Sequence, residues 1–223
     1  MEYLILFITI LITSQWVPIR NNILSVFGQK TPYTVEKNKA ISRTIKEKTG
    51  VKIETFKIIE DHKPHGAMIG IPGKPQLLLS RDLYSSFNKS ELEYVLLHEA
   101  GHYILKHGIK IALVITILFL SGLYILNTIS IKLPIETLVV LIGFVFGIIS
   151  IQYQRVCEYK ADAFTLERMT NPEGMITATY KFKKAWGNWP PQNGLRRKLF
   201  YAGVPYSERI KNAQEEIQKR KPR

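Results

Sequence analysis

Cysteine is nearly missing: Cys157 is the only one in 223 residues, so no internal disulfide can staple the fold. A lone thiol of this kind reads as packing. Repeats and low-complexity tracts are absent as well, which excludes solenoid arrays and long flexible linkers. Acidic residues are scarce, 18 against 31 Lys and Arg, for a net charge of +13. Such an excess suits nucleic acid or anionic lipid, and the apolar runs decide for lipid with no nucleic-acid partner. Charge itself is lacking over three stretches: 17 uncharged residues lie between Glu2 and Arg20, 21 between Lys110 and Lys132, and 18 between Glu136 and Arg155. A bilayer core takes about 20 apolar helical residues, so each run is adequate and the first is marginal. That first run has no leading lysines and no small-x-small cleavage site after it, which favours an uncleaved anchor over a signal peptide.

Three spans place residues 20–108 and 155–223 on one side, with 14 and 15 Lys or Arg, against Lys132 alone in the bend at 127–134. The positive-inside rule then predicts a multi-pass cell-membrane protein whose N-terminus is outside and whose two large segments are cytoplasmic.

Histidine is also rare, five in all, yet two stand four apart in His98-Glu99-Ala100-Gly101-His102. Ser90, with Glu93 three residues on, predicts a capping box opening a helix there. On a helix, four residues are about one turn, so His98 and His102 share a face and can grip one ion. Glu99 then flanks that ion, where a carboxylate general base takes a proton from water activated by zinc. A hydrolytic zinc site needs a third protein ligand and one open position. Glu158 is the candidate, because a hairpin of the second and third apolar runs has its midpoint near residue 130 and returns Glu158 to the height of His102. Cys157 points about 100° away from Glu158 on the same helix. Asp162, one turn beyond Glu158, is placed to orient a ligand histidine through its other ring nitrogen.

In chain order, Gly66-Ala67-Met68, Leu77-Leu78-Leu79-Ser80, Ser90 to Glu93, the His98 to His102 motif, a two-helix insertion and Glu158-x-x-Ala161-Asp162 resemble the HtpX-type membrane zinc metallopeptidases, a family that includes the CAAX prenyl proteases. The segment Thr170 to Ala178 resembles the family's next helix, and the likeness covers residues 35–212. The resemblance implies a zincin-like (gluzincin) α+β catalytic domain with a small sheet and an HExxH helix, joined to transmembrane helices. It also implies endopeptidase activity on protein or peptide substrates, one zinc ion per chain held by His98, His102 and Glu158, and Glu99 as base. In such proteins Ala67, Met68 and Ile69 lie on an edge strand along which substrate extends. Free N–H and C=O groups on an edge hold a peptide without choosing its side chains.

One position departs from the family. Its late histidine, counted back from Arg209-Ile210, falls on Gly203, so either another group such as Arg209, Tyr201 or Tyr206 stabilises the transition state or the enzyme is slow. His62 and His65 read as loop residues, with replacement of that histidine as the alternative.

The organisation expected is an anchor over 1–24, catalytic segments over 25–108 and 155–223, and a transmembrane hairpin over 109–154. Within it, helix is expected over 34–49 with a stop at Gly50, strand over 51–60, a turn at 70–73, helix over 171–185 and helix over 207–219. Trp186, Trp189 and Arg196-Arg197-Lys198 read as an aromatic and basic connector at the membrane surface, and His107 as interfacial. Rival readings are a non-catalytic zinc sensor or scaffold, and an intramembrane site-two-type protease. Glu91, Glu93, Lys106 and Lys110 around the motif argue against burial in the bilayer.

Overall fold

The computed structural model describes residues 32–71, 73–128, 133–187 and 191–221; the expected anchor over 1–24, much of the bend and Trp189 lie outside the described residues. Two compact units divide the chain. One contains Gly108–Gln154, the other Thr31–His107 with Arg155–Arg223.

The strands are β1 (Tyr33–Glu36), β2 (Phe56–Ile59), β3 (Gly66–Ile69) and β4 (Gln76–Ser80). The helices are α1 (Lys39–Thr49), α2 (Arg81–Ser86), α3 (Lys89–Ile104), α4 (His107–Thr128), α5 (Ile135–Arg168), α6 (Glu173–Trp186), α7 (Gly194–Phe200) and α8 (Tyr206–Arg220). This is an α+β fold with a small mixed sheet in the order β1-β2-β4-β3, with β2 parallel to β4 and the two outer pairings antiparallel.

Residues 34–36 are strand, not helix as the periodicity suggests. They pair with 56–58 of β2, and the Asn38 side chain accepts the Ala40 and Ile41 N–H groups, so α1 starts only at Lys39. Gly50 ends α1 as expected, at φ 75°, a left-handed conformation that glycine adopts without a Cβ penalty. Strand β2 is shorter than the run 51–60, because only 56–59 find partners on both sides.

Helix α3 begins earlier than the Ser90–Glu93 spacing implies. Asn88 is the cap: its side chain accepts the Glu91 N–H at 3.0 Å, and Glu91 returns the bond to the Asn88 N–H at 2.7 Å. Glu91 also takes a 2.6 Å ion pair from Lys181 of α6. Glu93 instead turns inward, 2.7 Å from Lys48 of α1, and accepts the N–H and hydroxyl of Thr170. Where spacing suggests a local cap, a buried carboxylate ties three segments together. Gly174 of α6 presses on the same turn, since a Cβ there would run into the Ser90 carbonyl. Ile45, Phe56, Ile58, Leu77, Leu79 and Leu97 fill the core around α3 and the sheet, and burying each such side chain contributes about 2 kcal/mol.

Helices α4 and α5 are both long and apolar enough to cross a membrane. In the Gly108–Gln154 unit, Val139 and Ile142 pack with Ile115, Phe119 and Leu123 along one seam. Leu113, Ile117, Leu120, Tyr124, Phe144 and Val145 project outward and exposed. An apolar belt of this extent is unusual on a protein surrounded by water.

Candidate metal centre

Two helices supply the site: α3 brings His98, Glu99 and His102, and the end of α5 brings Glu158 and Asp162. Small residues allow the approach. Ala100 and Ala161 are fully buried, and a Cβ on Gly101 would lie 3.0 Å from a Phe164 ring carbon and 3.6 Å from the Ala161 Cα. A larger residue at 101 would push the two histidines away from the two carboxylates.

The Nε2 atoms of His98 and His102 are 3.1 Å apart. Glu158 places one carboxylate oxygen 3.5 Å from His98 Nε2 and the other 3.4 Å from His102 Nε2. These three side chains are the group that could hold a metal ion among the described residues. The spacings fit a tetrahedral ion: bonds of about 2.0–2.1 Å to nitrogen and oxygen put neighbouring donors about 3.4 Å apart. The charge fits as well. Glu99, Glu158 and Asp162 bring three carboxylates against the guanidinium of Arg209 and the one positive charge the histidine pair favours, an excess of negative charge that suits a cation.

Asp162, almost fully buried, lies 2.9 Å from His98 Nδ1 and 2.8 Å from Arg209 Nε, with the Tyr94 hydroxyl at 3.4 Å. Arg209 Nη2 is 3.4 Å from Glu158. Arg209 therefore faces the two carboxylates of α5, a position that braces them. Burial would lower its pKa, but Asp162 outweighs burial and the guanidinium is held more firmly protonated than usual.

Burial would likewise lower His98, yet Asp162 and Glu158 overturn it and raise the ring to about 10. His102 is lowered to about 4, by burial first and by the neighbouring positive His98 next. The pair therefore favours one positive charge and resists two. Glu99 is raised to about 7, chiefly by burial, with His98 opposing and Glu158 adding to the rise. Its side chain lies beside β3, where a Cβ on Gly66 would be 3.6 Å from the Glu99 Cγ, so the acid next to the cluster also touches the edge strand.

Among the described residues, strand β3 is bonded to β4 on one side only, which leaves Ala67, Met68 and Ile69 on a sheet edge. Tyr103, next to His102, holds the turn after this strand: its hydroxyl donates to the Ile71 carbonyl and accepts the Gly73 N–H, both at 2.9 Å. Spacing arguments miss Tyr103, although its register one residue past His102 is visible in the motif.

His107 reads as interfacial from the sequence, and the structure shows what its ring meets. It is buried, with Nδ1 3.0 Å from His102 Nδ1. Helix α3 ends at Ile104, and Lys106 takes φ 56°, rare for a residue with a Cβ, so the chain turns before His107 in place of continuing straight. In the basic run 196–198, Arg196 and Lys198 are exposed. The run lies on helix α7, and Arg197 is buried, with its guanidinium donating to the Tyr201 and Gly203 carbonyls. Trp186 donates its indole N–H to the Pro64 carbonyl. His62 and His65 are outside the metal-holding group, and His65 Nδ1 faces the Lys63 carbonyl.

Residues 36–217 match the family described as peptidase family M48. The fold is similar to the crystal structure of S. mikatae Ste24p, with a TM-score of 0.63 at 17% identity over 94% of this chain. The chain spans 61% of the length of that protein. No curated protein sequence matches it.

Proposed function

The chain belongs to peptidase family M48, and from that premise we propose that it is a membrane-anchored zinc endopeptidase of the gluzincin kind. His98, His102 and Glu158 would hold one zinc ion, and the donor spacing of 3.1–3.5 Å is the observation that carries the reading. When bound, zinc polarises a carbonyl and lowers the pKa of water towards about 7.

The chain's own residues supply the rest. Glu99 is the proton acceptor from the attacking water and the later donor to the leaving amine. Burial raises its pKa above that of an ordinary carboxylate, which strengthens it as a base. Asp162 and Arg209 hold His98 and Glu158 in place. Substrate would add as an extended strand beside Ala67, Met68 and Ile69, bringing its backbone to the edge that Glu99 touches. Arg209 as a transition-state stabiliser is less well supported than Arg209 as a brace, because both α5 carboxylates already engage it.

We read the apolar belt of the α4–α5 hairpin as lipid-facing, with an N-terminal span before it, the N-terminus outside and the catalytic unit cytoplasmic. Substrates are then segments of membrane or membrane-proximal proteins.

The test uses purified full-length chain in detergent. Metal analysis should return one zinc per chain, and casein cleavage should fall about 10²–10⁴-fold in Glu99→Gln with zinc retained. Zinc retained in both forms, and no cleavage by either across several substrates, would favour a scaffold or sensor instead.

A further inference from the structure

We propose that His107 is a positioning residue for the metal centre: through its Nδ1 it fixes the tautomer and the ring orientation of His102. The proposal rests on the reading of His102 as a ligand, and goes beyond it to a group outside the HExxH motif.

The placement is selective. Lys106, Gly108, Ile109 and Lys110 are exposed, whereas His107 among them is 2% exposed. What buries it is the left-handed turn at Lys106, which brings its ring edge-on to His102 with centroids 4.9 Å apart. A straight continuation of α3 would put residue 107 about 140° around the axis from residue 102. The backbone departs from that course just where the departure brings the two rings together.

The chemistry then has one consistent solution. Neutral imidazole carries one proton, on one nitrogen only. His102 Nε2 faces His98 Nε2 and the Glu158 carboxylate, the direction in which a cation would be held, and to serve as a ligand there it would present a lone pair. The proton is therefore on His102 Nδ1 and donates across 3.0 Å to His107 Nδ1, which accepts. On the other side of the centre, Asp162 stands in the same relation to His98 at 2.9 Å. Each imidazole of the motif is thus held from behind, one by a carboxylate and the other by a second imidazole. Outer partners of this kind typically change metal affinity about 10–100-fold when removed.

The experiment compares full-length wild type, His107→Leu and His107→Asn by chelator competition for zinc. Leucine fills the space without an acceptor, while asparagine offers an oxygen near the Nδ1 position. Zinc affinity should drop about 10–100-fold in His107→Leu and return to within a few-fold of wild type in His107→Asn. In ¹⁵N-histidine-labelled protein kept in chelator, His102 should show a protonated Nδ1 in wild type and in His107→Asn, and a mixture of tautomers in His107→Leu. Equal weakening in both variants would mean that the ring only packs, and would overturn the proposal. So would unchanged affinity in His107→Leu beside a wild type that binds zinc. A wild type that binds no zinc would instead sink the reading of the site on which the proposal rests.

Discussion

Asp162→Asn is the sharpest probe of how the centre is held. The side chain is 1% exposed and meets three groups: His98 Nδ1 at 2.9 Å, Arg209 Nε at 2.8 Å and the Tyr94 hydroxyl at 3.4 Å. Asparagine keeps the shape but removes the charge, and it turns one acceptor oxygen into an NH₂ group facing a donor. Breaking one side of a buried ion pair costs about 3–5 kcal/mol, because the other charge is left without its partner. Glu158 remains 3.4 Å from Arg209 and keeps part of the compensation, so the low end applies, about 3 kcal/mol. In a protein of this size that corresponds to a fall in Tm of roughly 6–12 °C. His98 loses its rear partner at the same time, which should weaken zinc binding about 10–100-fold. Thermal unfolding in chelator and in saturating zinc separates the two effects. Adding Arg209→Met to Asp162→Asn should recover part of the loss in chelator, since the guanidinium that Asp162 balanced is gone and Glu158 keeps its contacts with the two histidines. A Tm within about 2 °C of wild type, together with unchanged zinc affinity, would refute the argument that this carboxylate holds both partners.

Gly101→Ala should destabilise by about 1–3 kcal/mol, because its Cβ would lie 3.0 Å from the Phe164 ring; denaturant unfolding measures this, and cleavage should fall with it as α5 moves from α3. Tyr103→Phe loses two hydrogen bonds to the turn after β3, so KM for a peptide substrate should rise more than kcat falls in steady-state assays. The Glu91 pKa is set by opposing effects, burial raising it and the bonds from Lys181 and the Asn88 N–H bringing the net result below the ordinary 4.5. A depressed carboxyl stabilises the fold above its unfolded pKa and loses that contribution as pH falls through the folded value, so wild-type stability should drop below pH 4.5. Lys181→Met should start less stable and show a shallower acid loss in the same titration.

Much of the molecule follows from patterns that are local in the chain. Four-residue spacing puts His98 and His102 on one helical face whatever surrounds them, residues 111–128 and 137–154 of the two long uncharged runs lie in helices α4 and α5, and Gly50 can end a helix because it has no Cβ. Counting along a hairpin even nominates Glu158 and Asp162, because helical rise is constant. Local patterns stop where a residue has two satisfactory partners and only three-dimensional packing chooses between them. Glu93 has the spacing of a cap and is taken by Lys48 from 45 positions away, while Asn88 and Glu91 do the capping. Thr34 to Glu36 suits a helix and becomes a strand because β2 offers it a ladder.

Composition and spacing alone determined the long apolar helices, the motif face and the candidate metal-binding residues, and the family resemblance supplied the class of protein. Tertiary structure decided their separations, the brace of Asp162 and Arg209, and the turn at Lys106 that brings His107 behind His102. Periodicity reports which side of a helix a residue occupies, but a distance of 3 Å between two helices depends on how closely Gly101 and Ala161 allow them to pack.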